Sequence, residues 1–301
     1  MDRTTLRNRA ARVKRSGLFA ALLLLTACGA RHHVVVGSKN FTEQLILGEI
    51  VAQHLEARMH QPVERKLDLG GTLLAHQALL AGDIDLYPEY TGTAFTNVLK
   101  RSGVTDPAIV LEQIRAEYAS GFHLDWLNPL GFDNSFAMTI RGEDARARHL
   151  QTLSDAAADP IGFTLGAGYE FLTRPDAYGA LNRAYSIKWT APPRSMDLGL
   201  LYQALEQKQV SMAAANTTDG LLNKLDVTVL QDDKHVFPPY QACIVVRQQA
   251  LASYPDLRAI LSELSGKISD TQMRSMNYAV DAQHRPPRDV AKEFLQMAGL
   301  L

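Results

Sequence analysis

The stretch Tyr87-Pro-Glu-Tyr90-Thr-Gly-Thr93 gathers two aromatic rings, one carboxylate and two hydroxyls. Tyrosine faces attract quaternary cations through the ring quadrupole, at roughly 0.5–2 kcal/mol each depending on desolvation. Such a cluster at a strand end suits a cation-binding cleft; without a ligand, the same pair would simply pack a turn. Phe237-Pro-Pro-Tyr240 adds a further ring on a segment that its prolines stiffen by fixing φ.

Other chemistries lack their signatures. The chain has no Walker loop, HExxH, GxSxG or CxxC, and Gly166-Ala-Gly168 is only a fragment of a dinucleotide turn, read as a loop. An enzyme on the same frame would have to use Glu89 or Asp219 as general acid or base. No metal cluster and no nucleophile with its base accompanies them, so no catalytic residue, metal or cofactor is expected. His32 and His33 read as a solvated tether.

The elements that must position the rings alternate. Val34–Gly37 reads as a buried strand, and from Thr42 a helix carries Leu47, Val51, Leu55 and Met59 at i+4, with Glu43, Glu49 and Glu56 off that stripe. A strand over 64–69, a Gly70-Gly71-Thr72 turn, a helix to Ala81 and a strand over 84–87 repeat the scheme. A helix over 107–119 and a break at Leu127–Gly131 precede strands at 136–140, 161–165, 186–190 and 210–214, with a helix over 196–207. A strand at 227–230 precedes Phe237–Tyr240, another spans 242–246, and helices over 255–266, 270–282 and 288–298 complete the chain. This βα alternation predicts an α/β fold of two lobes with a cleft between them and two hinge crossings. The expected boundaries are 34–133 plus 241–301 for the first lobe and 134–240 for the second.

The N-terminus stands apart. Six basic side chains precede the apolar run 18–25, which is too short to span a membrane, and Leu25-Thr26-Ala27-Cys28 has the form of a lipobox. Residues 1–27 therefore read as a lipoprotein signal peptide, Cys28 as the lipidation site, and 28–33 as a tether. Gly29 leaves an outer-membrane destination open. Setting 1–27 aside leaves 25 Lys and Arg against 31 Asp and Glu, a balance that argues against nucleic acid. Cys243 then has no cysteine to pair with inside the chain.

Gly37-Ser-Lys-Asn-Phe-Thr-Glu-Gln44, Glu89-Tyr-Thr-Gly-Thr93, Glu170-Phe-Leu-Thr-Arg174, Thr218-Asp-Gly220 and Phe237-Pro-Pro-Tyr240 resemble, in order, blocks of the glycine betaine/choline-binding proteins of ABC importers. These are the OpuBC/ProX-like osmoprotectant binders. The resemblance implies a type II periplasmic-binding-protein fold, a periplasmic or cell-surface location and delivery of a small zwitterionic or cationic solute to an ABC permease and its ATPase. It also implies a monomer held at the membrane by its lipid. Tyr90, Phe136, Asn216 and Tyr240 match the aromatic cage, Asn134 a position that helps it through a carbonyl or side-chain oxygen, and Lys39, Thr93 and Arg174 the carboxylate-binding positions. Asn216 departs from the pattern by replacing a ring with an amide. That change points to weaker glycine betaine binding or to a larger or more polar ligand, ergothioneine or a polar amino acid among them. A sensor module without a transporter is the remaining alternative.

Overall fold

The computed structural model describes residues 33–301; the expected signal peptide and nearly all of the tether, Cys28 included, lie outside them. Val34–Leu301 forms one compact unit built on two five-stranded mixed sheets. The strands are β1 Val35–Gly37, β2 Glu64–Lys66, β3 Leu86–Tyr90, β4 Leu124–Trp126, β5 Phe136–Arg141, β6 Leu165–Ala167, β7 Arg194–Ser195, β8 Met212–Asn216, β9 Val227–Val229 and β10 Ala242–Arg247.

The first sheet has the order β2-β1-β3-β10-β4 and the second β7-β6-β8-β5-β9. In the first, β1 runs parallel to β2 and β3, while β10 runs antiparallel to β3 and β4. The second repeats this plan: β6 is parallel to β7 and β8, and β5 is antiparallel to β8 and β9. The chain crosses from the first sheet to the second between β4 and β5 and returns between β9 and β10. Central strands are buried on both faces, as Ala242–Val246 shows, which explains their continuous apolar character.

Glycine sets the first βα turn. A Cβ on Gly37 would lie 2.4 Å from Ile84, so only a hydrogen lets β1 lie against its neighbour. The helix Thr42–Met59 then buries Ile46, Leu47, Ile50, Val51 and Leu55. Its acidic side departs from expectation, because Glu43 and Glu49 are also buried. Packing against the C-terminal helices Asp270–Asp281 and Pro287–Met297 covers the face that periodicity leaves to solvent. Glu49 is met by Arg65 of β2 at 3.1 Å.

Several elements of the second half differ from the sequence reading. Residues 178–185, for which the sequence reading named no element, are a helix, and Ser186 terminates it at φ 53°. The strand expected at 161–165 is shifted to β6, which begins at Leu165, and of the one expected at 186–190 only the isolated bridge of Trp189 to Phe163 forms. The helix expected over 196–207 is a short 3-10 turn followed by Leu201–Glu206, and that over 255–266 gives way to helices at Gln248–Ser253 and Leu257–Ser262.

Candidate ligand-binding site

The ends of strands from both sheets carry the expected ligand residues. Tyr90 closes β3, Phe136 opens β5, and Asn216 closes β8 opposite Phe136 in the ladder. Asn134 lies two residues before β5 and Tyr240 two before β10, and the Asn134 N–H donates to the Tyr240 carbonyl at 3.1 Å. A Cβ at Gly92 would lie 2.6 Å from both the Pro239 carbonyl and the Tyr240 ring, so glycine is what admits the Phe237–Tyr240 segment against the end of β3. Thr91 clamps the same contact, donating to Pro239 O at 3.1 Å and accepting from the Gln241 N–H at 3.0 Å.

The rings form two groups rather than one. Phe136 makes edge contacts with Phe171 at 4.9 Å, Phe237 at 5.3 Å and Tyr240 at 5.5 Å. Tyr90 instead stacks with Phe41 at 6.4 Å. Each group faces one of the chain's own cations. The Arg174 guanidinium lies 5.3 Å from the Phe136 centroid and 5.5 Å from that of Tyr240, and the Lys39 ammonium lies 4.7 Å from that of Tyr90. Asn216 is half-buried, its backbone N–H donating to Asp219 at 3.0 Å.

Both cations are already neutralised. Lys39 pairs with Glu89 at 2.6 Å and touches Thr72 at 3.4 Å. Arg174 forks onto Asp176 at 3.0 and 2.5 Å and donates to Thr93 at 3.0 Å. Burial works against the Arg174 charge, but the Asp176 carboxylate more than offsets it and the guanidinium's pKa is raised. Asp176 is correspondingly held low against its own burial, and it also accepts the Tyr240 hydroxyl at 2.6 Å. Such a charge-assisted fork holds the guanidinium plane beside the rings.

Glu43, missed by the sequence reading, is the centre of a second network. Tyr90 OH at 2.6 Å and Asn134 Nδ2 at 2.7 Å donate to one oxygen. Thr218 Oγ1 at 2.6 Å and Asn277 Nδ2 at 3.0 Å donate to the other. Burial raises its pKa against the pull of these four donors. Asp176, Phe171, Glu170, Thr218 and Asn277 were likewise not singled out as contacts. Phe171, Glu170, Thr218 and Glu43 stand inside the recognised blocks, whereas Asp176 and Asn277 carry no local signal.

Two further carboxylates stand beside the site. Burial pushes Asp219 up to about 7, where it also accepts Tyr202 OH at 3.0 Å, and Asp133, which accepts the Tyr240 N–H at 2.7 Å, up to about 6. Among the described residues no group of acidic, histidine and cysteine side chains could hold a metal ion. Cys243 is buried in β10 and its thiol is pushed up to about 12.

Rings and paired charges at the facing strand ends of two α/β sheets define a solute-binding protein of the type II periplasmic class. The model of the substrate binding domain of ABC-type glycine betaine transport systems matches residues 32–297, and the chain belongs to that family. It is 40% identical over 268 residues to the ergothioneine transport permease/ergothioneine binding protein of Helicobacter pylori, covering 89% of this chain and 48% of that one. The chain thus spans about half the length of that relative. It is 32% identical to the carnitine transport binding protein of Listeria monocytogenes, over 93% of this chain and 92% of the other. A crystal structure of a glycine betaine/carnitine/choline ABC transporter protein superposes with a TM-score of 0.74 at 30% identity, covering 89% of this chain and 99% of that one.

Proposed function

We propose that the protein is the extracytoplasmic binding component of an ABC importer for a betaine-type solute, glycine betaine, choline or a similar compound. The observation that carries this reading is the pairing of rings with cations beside the strand ends of both sheets, Lys39 over Tyr90 and Arg174 over Phe136 and Tyr240, with Arg174 also reaching Thr93. Residues 34–133 with 241–301 act as one lobe and 134–240 as the other, closing by the two crossings. The rings receive the trimethylammonium group, with Asn134 and Asn216 at their edge, while Lys39, Thr93 and Arg174 receive the carboxylate. For this, each basic side chain must share its charge between the solute and its resident carboxylate. Closure is selected by a solute that touches both lobes, since only differential affinity shifts such an equilibrium.

Ergothioneine is the second reading, favoured by the 40% identity to the Helicobacter pylori relative and by the amide of Asn216 where the cage pattern has a ring. The protein works as a monomer without catalysis or cofactor, and a permease with its ATPase takes the solute from it. Lipid on Cys28 holds it at the periplasmic or cell surface. Calorimetric titration of the purified full chain with glycine betaine, choline, carnitine, ergothioneine and a neutral amino acid tests the solute. Tight binding of one trimethylammonium compound supports the proposal, and binding of the amino acid alone defeats it. Cys28→Ser should abolish incorporation of labelled fatty acid; labelling that persists would remove the anchor.

A further inference from the structure

Glu43 sits in the first turn of the helix Thr42–Met59, 3% exposed, with its two oxygens accepting from Tyr90, Asn134, Thr218 and Asn277. An ionised carboxylate has about four lone-pair sites, so the accepting capacity of this one is filled. All four donors are neutral, and among the described residues no basic side chain forms an ion pair with it. The basic neighbours are taken up in pairs, Lys39 with Glu89 and Arg174 with Asp176, while the carboxyl groups of Asp133 and Asp219 lie within electrostatic reach of Glu43. The four donors favour the ionised form against the burial that raises its pKa, and in that form Glu43 sets an unpaired negative charge directly behind Tyr90 and Asn134, two side chains placed at the solute's cationic end.

We propose that Glu43 is a specificity-determining charge, sensed through space, that selects a trimethylammonium group over a primary ammonium group. This rests on the betaine-binding reading above. A trimethylammonium has no N–H, so it gains from the negative charge and the ring faces without competing for the carboxylate's lone pairs. A primary ammonium brings three donors that must replace their water partners. Here the nearest carboxylate is already saturated, and buried donors left unmatched are costly. The four donors thus convert a hydrogen-bond acceptor into a fixed field.

The test compares ligands of one shape on the same purified full chain. Glycine betaine and 3,3-dimethylbutanoate share a carboxylate and differ in replacing the cationic nitrogen by carbon; glycine supplies the primary ammonium. At an effective dielectric of about 20 and a separation of about 6 Å, one charge is worth on the order of 100-fold in affinity. The wild-type protein should prefer glycine betaine to its carbon isostere by at least that factor and bind glycine poorly. In Glu43→Gln the preference should shrink by about tenfold or more, while Glu43→Asp, which keeps the charge, should retain most of it. The ergothioneine and 2-thiohistidine pair, which differ in the three N-methyl groups, should follow the same order if that solute binds tighter. A Glu43→Gln protein that loses both isosteres equally would overturn the inference and leave Glu43 a structural residue. Wild-type protein that binds no trimethylammonium solute would overturn the betaine reading itself, and this inference with it.

Discussion

The backbone N–H of Thr72, at the start of a helix beside the first sheet, donates to the Glu170 carboxylate, on a helix that follows β6 of the second, at 2.8 Å. A helix N-terminus carries unsatisfied N–H groups and a partial positive charge, so an acidic side chain is the partner it favours. The approach is close: a Cβ on Gly71 would lie 2.4 Å from Glu170 Oε1. The contact exists only when the two sheets stand in this relation, so under the lobe closure proposed above it favours this arrangement over an opened one.

Gly71→Ala should therefore weaken solute binding by roughly tenfold, since about 1–2 kcal/mol of closing contact is lost. Thermal stability should change little, because neither sheet's core is touched. Titration paired with small-angle scattering checks this: a variant that binds with unchanged affinity and closes equally would remove the contact from the mechanism.

Asp176 holds the Arg174 fork in a buried setting, and removing one member of such a pair strands the other. Asp176→Ala should cost about 3–5 kcal/mol of stability in chemical denaturation. Arg174→Lys should keep the charge but lose the fork, and solute affinity should fall with a smaller loss of stability.

Tyr240 offers both a ring face and a hydroxyl, and two variants separate them. Tyr240→Phe removes only the 2.6 Å bond to Asp176 and should lower affinity several-fold. Tyr240→Ala also removes the face beside Phe136 and should lower it by a further tenfold or more. Equal effects of the two variants would show that the ring contributes nothing to the solute.

Asp219 predicts a pH dependence of stability. Its folded pKa of about 7 lies above the ordinary 3.8, so between those values the folded chain holds a proton that the unfolded chain has released. Stability should fall as pH rises from about 4 to about 7 and then level off. Asp133, raised to about 6, acts in the same direction. Asp219→Asn can still accept from the Asn216 N–H and Tyr202 OH, and it should flatten much of this slope. The stability gained at pH 8 should be on the order of 2 kcal/mol, solvent reaching the half-buried side chain and reducing the full effect. Urea unfolding at pH 5 and pH 8 measures it, and parallel curves for the variant and parent would rule Asp219 out as the source.

The alternation of β-branched runs and amphipathic helices was enough to read two α/β units, because burial on one or both faces leaves a local period in the chain. Those signals set strands near Tyr90, Phe136, Asn216 and Tyr240, but ended two of them at 87 and 214, short of Tyr90 and Asn216, and it was the family resemblance that picked the four residues out. The helix Tyr178–Tyr185 did not show itself in the same way, and of the strand that the composition of Ser186 to Thr190 suggests only a single parallel bridge, Trp189 to Phe163, forms.

What the sequence determined by itself is therefore the α/β alternation and which rings and charges are available near the ends of its strands. The tertiary structure decided how they are partnered. Glu43 lies off the apolar stripe of its helix and reads locally as solvated, yet its partners come from 47, 91, 175 and 234 residues away. Arg174 and Lys39 read as free cations until Asp176 and Glu89 are seen against them. Periodicity records the average polarity of a face, whereas the burial and charge of one polar group depend on donors and acceptors that only the folded chain brings within 3 Å.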